Sequence, residues 1–537
     1  MPEANHLPPK YPNGFRWLVI LASVALLLLL FARFHIPGKG FTALITFGDQ
    51  HASRYLAQID PQSTYFTPDS AGYDAQWYAQ LAVAPAVDDP RLRPAIDNLP
   101  YRARRILLSW TSHVLGLGRP AWILEAFVLQ NLVCWLLLGW MLLRWLPPTN
   151  WGNVGRWLAV MFSFGLTFSM RGTLVDGPSL LLIAFGMVLL EQGRPWLSAL
   201  VLGVSGLGKE TSMLAGAATV WSDNATPRDW GKALLRGVLI VAPLACWLAY
   251  LLLVFGREGA DAGSGAFAPP FTGLWRKAVG SVQALGTHPP VLAYTLSGVF
   301  AVVSLLTQFL FFALRPRIHD PWWRLGTAYA VLLVFLGDGV WDGYPCAATR
   351  VLLPLLLAFN LTVPRSPRWL LVLVLGNVSI LGTPNFVSLP PGVDPRIIYG
   401  QVALPTDQAV RVSFEGGWYN AERSLLDSWR WTSGSADLVI HNPHPFALLA
   451  DLSLGLNSRN ARAVRLLVAG EERWRGTAVP SRQDVSITSV HLQPGPNRLQ
   501  LLTDRPGEPT ANSPDPRVLA FRVLGLRIDL RSRPPAP

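Results

Sequence analysis

Residues 17–31 read WLVILASVALLLLLF, an uninterrupted apolar run without a charged side chain. Two cations, Lys10 and Arg16, precede it, and the residues that follow, Phe34 to Pro37, contain no small-x-small cleavage site. A cleaved signal peptide would end in such a site, whereas a membrane span needs only sufficient apolar length. The run therefore predicts an uncleaved first span with a cytoplasmic N-terminus.

The composition of the whole chain agrees with this start. Of its 537 residues, 51% are hydrophobic and only 15% are charged, and the mean hydropathy is +0.31. Soluble domains carry about a quarter charged residues, so these values indicate an integral membrane protein. The charge is uneven, because residues 400–537 hold 29 charged side chains and the first 399 residues hold the other 49. We expect a membrane part followed by a water-soluble tail.

Later apolar runs raise the predicted number of spans to about eleven. The net charge is +12, but arginines recur at the ends of apolar runs and form no dense basic patch, which disfavours a nucleic-acid partner. The three cysteines lie far apart without metal-binding spacing, so neither a metal site nor a disulfide framework is expected. The later runs are 121–143, 157–170, 178–191, 196–207, 211–221, 233–255, 291–314, 325–337, 349–363 and 369–387.

The distribution of arginine among the short loops predicts the topology. Cations accumulate in the cytoplasmic loops of membrane proteins. An odd number of spans from a cytoplasmic N-terminus then places the C-terminal tail outside, and residues 35–120 and 256–290 become long outer loops. The cations of the alternate short loops are Arg144, Arg156, Arg194, Arg228, Lys232, Arg236, Arg315, Arg317, Arg324, Arg365 and Arg368.

The loop 35–120 contains the first residues suited to chemistry. Residues 72–82 read GYDAQWYAQLA, and residues 97–107 read DNLPYRARRIL. Asp74 is an acid among aromatic side chains, and the three arginines of the second stretch are cations that can bind a phosphate through two parallel hydrogen bonds. The alternative is structural: Asp74 caps a helix that begins near Gln76, and the arginines bind lipid headgroups.

These two stretches resemble the first outer loop of bacterial GT-C-type membrane glycosyltransferases, multi-span enzymes that take a sugar from a polyprenyl phosphate. The resemblance rests on Gly-Tyr-Asp-x-Gln-aromatic-Tyr and Asp-Asn-x-x-Tyr-Arg-x-x-Arg-Ile, and extends more weakly over residues 15–390. It implies that Asp74 is the catalytic base. Ala75 stands where relatives often have Gly, which leaves the acid unaltered. The substrate-binding candidates in this loop are Tyr73, Gln76, Tyr78, Asp97, Arg102 and Arg105.

A second cluster is predicted on the same outer side of the membrane. Asp176 opens a span, and Lys209-Glu210-Thr211 occupies a turn that is similar to the Lys/Arg-Glu-Thr turn of the same enzymes. Ionisable residues at the edge of a membrane bundle are functional candidates, so Asp176, Lys209 and Glu210 are expected to bind substrate. The alternative is a mutual Lys209–Glu210 ion pair or a helix cap.

A third cluster combines residues 337–344, which read GDGVWDGY, with Arg350. Arg350 opens a predicted span from the outer side, where it can reach a lipid phosphate, and it joins the substrate-binding candidates. Asp338 and Asp342 are carboxylates, the ligands that hard cations prefer, but a turn with solvated acids is the favoured explanation of the pair. We predict neither a resident metal nor an organic cofactor.

The tail changes to an alternating pattern of apolar and polar residues. Short strands separated by turn signals predict a β-sandwich or jelly roll on the outer face. Its aromatic residues, among them Trp418 and Trp429, either stack on a sugar or fill the core. The expected domains are therefore a membrane domain at 1–398, a β-domain at 399–530 and a disordered end at 531–537. The predicted strands include 410–414, 437–441, 450–454, 464–468 and 497–501.

The combined expectation is an integral protein of the bacterial plasma membrane that transfers a sugar from a polyprenyl-phosphate donor to a glycan or glycolipid acceptor on the outer face. Two other classes share its features: a transporter or flippase of a lipid-linked glycan, and a non-catalytic envelope assembly protein. A transporter would be expected to show paired repeats of spans and charges near the membrane midplane. The sequence shows neither pattern.

Overall fold

The computed structural model describes residues 13–36, 38–60, 63–67, 70–220, 227–256, 258, 264–287, 296–343, 347–387, 396–399, 410–423, 428–509 and 517–532. Tyr344 and residues 533–537, which the sequence predictions include, lie outside these ranges. The chain divides into two compact units, Met1–Val387 and Ser388–Pro537.

The first unit is helical. Its outer loop contributes four short helices and a two-stranded parallel pair, β1 (Phe47–Gly48) and β2 (Phe66–Thr67). The helices are α1 (Asn13–Ala32), α2 (Ala75–Val83), α3 (Leu92–Ala95), α4 (Leu99–Arg102), α5 (Leu107–Leu115), α6 (Pro120–Leu142), α7 (Trp151–Met161), α8 (Phe164–Arg171), α9 (Asp176–Glu191), α10 (Pro195–Gly208), α11 (Pro227–Phe255), α12 (Thr272–Thr287), α13 (Ser297–Leu314), α14 (Pro321–Phe335), α15 (Asp338–Trp341), α16 (Ala348–Val351), α17 (Leu353–Thr362) and α18 (Leu370–Gly376).

Four helices of the described residues are long and apolar enough to cross a membrane. They lie in α1, α6, α11 and α13, and each carries many lipid-compatible side chains on its surface. A fifth candidate is a bent pair, Pro367–Gly376 with Val378–Pro384, whose two parts meet at 43°. These helices support the prediction of an integral membrane protein. The predicted total of about eleven spans is not confirmed and stays a prediction.

Several apolar runs are divided into shorter helices. Ser163 has extended backbone (ψ 148°) between α7 and α8, so the predicted run 157–170 is interrupted there. Pro354 lies in the first turn of α17, where its ring is tolerated, and α16 ends before it. Residues Glu210–Thr219 form a 3₁₀ helix after α10. Many residues at these places are buried, but the apolar runs that were predicted as spans do not form unbroken helices.

The outer loop folds against the bundle through α2 and α5. Helix α2 packs on α5 and α6, and almost all of its side chains are buried. Gln76 fixes its first turn, because its Oε1 accepts hydrogen bonds from Gly48 N (3.1 Å) and Tyr55 Oη (2.6 Å) while its Nε2 donates to Ala71 O (2.8 Å). A buried amide that satisfies three neighbours holds the residues just before α2 in one conformation.

The second unit is all β, as the tail pattern predicted. Five strands form one sheet in the order β10-β9-β12-β7-β4, and six form another in the order β11-β8-β15-β6-β5, with β3 pairing β15 in parallel. The strands are β3 (Arg396–Tyr399), β4 (Arg411–Glu415), β5 (Trp418–Arg423), β6 (Ser428–Thr432), β7 (Ala436–Asn442), β8 (Leu448–Asn457), β9 (Arg462–Val468), β10 (Glu471–Ala478), β11 (Gln483–Leu492), β12 (Gly495–Thr503), β13 (Glu508–Pro509), β14 (Val518–Leu519) and β15 (Arg522–Ser532).

Both sheets contribute to one hydrophobic core. Alternate residues of the strands point into it, among them Ile440, Leu456 and Leu466, and Phe521 closes it with no exposed surface. Alternation along a strand sends every second side chain to the same face, so the apolar face of each sheet is buried. The last strand, β15, extends through Ser532, which places the first two residues of the expected disordered end in a sheet.

Candidate functional site

The three clusters of the sequence analysis meet around one cavity of about 540 Å³ in the helical unit. The outer loop forms one wall, the N-terminus of α9 and the turn after α10 form the second, and the segments around α14–α16 form the third. One part of the lining is charged and the other is apolar. The charged residues are Asp74, Arg104, Arg105, Asp176, Lys209, Glu210 and Arg350, and the apolar ones include Leu174, Val175, Leu332, Leu336, Val340 and Val351.

Asp74 stands immediately before α2 with its carboxylate at the cavity. Its backbone is already helical (φ −48°, ψ −37°), and its side chain makes no capping hydrogen bond to the helix. Its Oδ1 lies 3.0 Å from Nη1 of Arg102, and 37% of the side chain is exposed. Oδ2 has no hydrogen-bond partner among the residues that the structure describes. The carboxylate is therefore held by one oxygen and open at the other.

Arg102 contacts two acids, Asp97 and Asp74. Its Nε and Nη2 donate to both oxygens of Asp97, at 3.0 Å and 2.7 Å, while Nη1 reaches Asp74. The guanidinium also lies 5.6 Å from the ring centres of Tyr78 and Tyr101. Neither Arg102 nor Asp97 lines the cavity. Since every arm of the guanidinium fork is engaged, Arg102 is a poor partner for an incoming phosphate.

Arg105 connects the outer loop to the turn after α10. Its Nε donates to Oε2 of Glu210 at 2.9 Å, and its two terminal nitrogens donate to the hydroxyls of Tyr78 and Tyr101, each at 3.1 Å. Burial raises the pKa of the Tyr78 phenol, which keeps it protonated and neutral. Glu210 therefore pairs with Arg105 across the cavity wall, and the suggested Lys209–Glu210 pair does not form.

Opposite this wall, Asp176 binds two cations. Lys209 Nζ donates to Oδ1 of Asp176, and Nη1 of Arg350 lies 3.4 Å from Oδ2. Arg350 also donates from Nη2 to the hydroxyl of Tyr73 at 3.0 Å, and its guanidinium lies 5.2 Å from the ring centre of Phe168. All three charged residues are buried, and Nε of Arg350 has no partner among the described residues. The group carries one positive charge in excess.

The structure thus gathers most of the predicted site residues and separates a few. Asp74, Tyr73, Tyr78, Arg105, Asp176, Lys209, Glu210 and Arg350 line the cavity. Gln76 lies behind it and organises the loop, and Asp97 and Arg102 form a layer next to Asp74. The role of each residue in substrate binding or catalysis does not follow from its position and stays a prediction.

The aspartates of the third cluster are engaged in exposed ion pairs. Asp338 pairs with Arg276, and Asp342 accepts from Lys277 Nζ at 3.0 Å, so both acids connect the α15 segment to α12. Over the described ranges no three His, Cys, Asp or Glu residues converge in a way that could hold a metal ion. The pairs favour a structural role in one cavity wall for this segment.

Sequence reasoning missed several cavity residues. Tyr101 and Arg104 lie within a motif already noted, but nothing in the motif indicated that Tyr101 would lie beside three guanidinium groups. Phe267 lies in the second outer loop, where a β-bridge to Leu336 brings it to the cavity. The loop 256–290 contains three aromatic residues, and nothing in the sequence distinguishes Phe267 from the other two.

Comparison with known proteins identifies no family. No family model and no curated protein matches the chain. One solved structure with a likeness is the arabinosyltransferase EmbB from Mycobacterium smegmatis, at 12% identity and a TM-score of 0.35, covering 98% of this chain and 65% of that chain. Another is the Podospora anserina GH26-CBM35 β-(1,4)-mannanase, at 14% identity and a TM-score of 0.14, covering 24% of this chain and 27% of that chain.

The chain spans less than two thirds of the length of either solved structure. Because both TM-scores are low, no property of either protein is transferred to this chain. The relationship to GT-C-type enzymes therefore stays a prediction that rests on the outer-loop motifs.

Proposed function

We propose that this protein is a membrane glycosyltransferase that moves a sugar from a polyprenyl-phosphate donor to a hydroxyl of a cell-envelope glycan or glycolipid. The supporting observation is the polarity of the cavity, which presents an open carboxylate oxygen on Asp74 and a buried excess of positive charge at Arg350 and Lys209. Its apolar lining suits the first isoprene units of a lipid. The outer-loop motifs support the same class of enzyme.

The proposed reaction is a single displacement with inversion at the anomeric carbon. The acceptor oxygen forms a bond to that carbon while its proton passes to Oδ2 of Asp74. The bond between the anomeric carbon and the phosphate oxygen breaks, and its electron pair leaves with the polyprenyl phosphate. Arg350 and Lys209 stabilise the charge that develops on the departing phosphate, since fixed cations in a buried site need little reorganisation. No metal is required to balance these steps.

The proposed site faces the extracytoplasmic side of the plasma membrane. This placement follows from the arginine-rich short loops, which we assign to the cytoplasm. Reporter fusions at Pro364 and Gly400 should respond oppositely, because the segment between them contains the last apolar run. A cytoplasmic response at Gly400 would contradict the orientation.

The test of function is sugar transfer by the purified protein in lipid nanodiscs. The probes are polyprenyl-phosphoryl hexoses and pentoses labelled in the sugar, with an envelope glycolipid fraction as acceptor. Asp74→Asn should retain the contact with Arg102 but lose roughly 10²–10⁴-fold in rate, the usual contribution of a general base. Asp89→Asn is the matched control, because Asp89 pairs only locally with Arg91. Turnover of Asp74→Asn within a few-fold of the parent would refute the base assignment.

A further inference from the structure

The arrangement around Arg102 contains one more acid than the proposed reaction uses. A single guanidinium is shared by Asp97, which receives two hydrogen bonds, and Asp74, whose Oδ1 forms an ion pair with Nη1 at 3.0 Å. The guanidinium is largely enclosed, at 10% exposure of the side chain, whereas the two acids are 40% and 37% exposed. The arginine is therefore the fixed centre of this group, and the acids compete for it.

Asp97 does not line the 540 Å³ cavity. It lines a separate notch of about 270 Å³ together with Arg93, Asn98, Phe255 and Glu258. Its Oδ1 also accepts a hydrogen bond from the backbone N of Asn98 at 2.7 Å, which anchors it at the start of α4. A ligand in the 540 Å³ cavity would therefore not contact Asp97. The contact that connects Asp97 to Asp74 is the shared guanidinium of Arg102.

The geometry of guanidinium groups explains what that effect is. A carboxylate is bound best by two parallel N–H donors of one arginine, and a carboxylate held in this way has both oxygens occupied. In this protein Asp97 takes the two-donor position, so Asp74 is left with a single ion contact to Nη1 and one open oxygen. Two acids therefore share the one guanidinium of Arg102.

We propose that Asp97 is a positioning residue that holds the fork of Arg102 away from Asp74 and so keeps Asp74 able to accept a proton. This inference rests on the proposed function, because it concerns the base of that reaction. If Asp97 loses its charge, the fork can rotate onto Asp74 and occupy both of its oxygens. The rings of Tyr78 and Tyr101, which flank the guanidinium, limit other movements.

The experiment compares Asp97→Asn, Asp97→Glu, Arg102→Gln and the double variant Asp97→Asn/Arg102→Gln in the transfer assay. Asp97→Asn should lower kcat roughly tenfold, less than the 10²–10⁴-fold loss of a base, with the KM for the donor unchanged. Asp97→Glu should restore most of the rate, since it keeps the charge and both oxygens. Thermal unfolding of each variant shows whether the fold is intact, and Asp89→Asn is the control.

The double variant decides whether Asp97 acts through the arginine. In the Arg102→Gln background, Asp97→Asn should not lower kcat further, because the guanidinium that Asp97 restrains is no longer present. Three results would overturn the inference. The first is a full additional loss of kcat when Asp97→Asn is added to Arg102→Gln, and the second is a changed KM for the donor. The third is an unchanged kcat in the folded Asp97→Asn variant. If the parent transfers no sugar or Asp74→Asn stays active, the proposed function fails first. If the parent transfers sugar, Asp74→Asn is inactive and Asp97→Asn keeps the kcat of the parent, only this inference fails.

Discussion

Replacing Arg350 with Gln tests the anion-binding part of the cavity most directly. In the parent protein Asp176 faces two buried cations, so the Gln variant leaves a balanced Lys209–Asp176 pair and removes the excess charge. The fold should survive, because a buried unbalanced charge is removed and none is created. Affinity for a lipid phosphate should fall by about 1.5–3 kcal/mol, the value of a charged hydrogen bond, which is about tenfold to 150-fold in Kd.

The assay is equilibrium binding of a tritiated polyprenyl monophosphate to the protein in nanodiscs. Arg350→Lys is the graded comparison: it keeps the charge but loses the fork that reaches both Asp176 and Tyr73, so an intermediate Kd is expected. Arg144→Gln is the control, because Arg144 forms an exposed pair with Glu191 away from the cavity. A Kd for Arg350→Gln within twofold of the parent would refute the assignment of this cluster to the phosphate.

Other consequences can be checked in parallel. Asp176→Asn leaves two buried cations without an acid, so the free energy of unfolding should fall by about 3–5 kcal/mol. Added polyprenyl monophosphate should then raise the melting temperature of the variant more than that of the parent. An equal rise in melting temperature in both proteins would contradict this. Gln76→Ala leaves buried partners unsatisfied and should lower stability by about 1–3 kcal/mol in thermal unfolding, while the Kd of the folded protein stays unchanged. Leu115 is 62% exposed at the end of α5, so we expect this side chain to contact lipid. A fluorescent label on a Cys at position 115, in a cysteine-free background, should be quenched by nitroxide lipids. The same label at the exposed position of Arg91 should not be quenched. Residues 388–537, expressed alone, should unfold cooperatively with intact near-UV circular dichroism, because they have their own core.

Sequence reasoning was most successful where a periodic pattern meets burial. The strands predicted at 437–441, 450–454 and 464–468 coincide with β7, β8 and β9, whose alternate side chains are buried. It failed where a bulge shifts the alternation: β11 changes register between Ile487 and Val490, and β15 changes register next to Gly525, whose φ is +54°. One extra residue moves the following side chains to the other face, so the period of two is lost.

The site shows a similar division. Residue type and loop position were enough to select Asp74, Asp176, Lys209 and Arg350, because charged residues at the edge of an apolar bundle need a reason to be there. The pairing among them could not be predicted, since Arg350 and its partner Asp176 are separated by 174 positions in the sequence. Lys209 is adjacent to Glu210 in sequence but binds Asp176, because the backbone at Lys209 is extended and directs the two side chains apart.

The two ends of the cavity have opposite electrostatic arrangements, and a single backbone position connects them. Near Asp74, the single cation Arg102 pairs with two acids, whereas near Arg350 the single acid Asp176 pairs with two cations. Tyr73 donates no charge, but its hydroxyl binds Arg350, and the next residue is Asp74. Adjacent Cα atoms are about 3.8 Å apart, so this dipeptide limits the distance between Asp74 and the cationic end of the cavity. Gln76 in turn binds the backbone of Gly48 and Ala71 before α2, so it stabilises the loop that carries this dipeptide without lining the cavity itself.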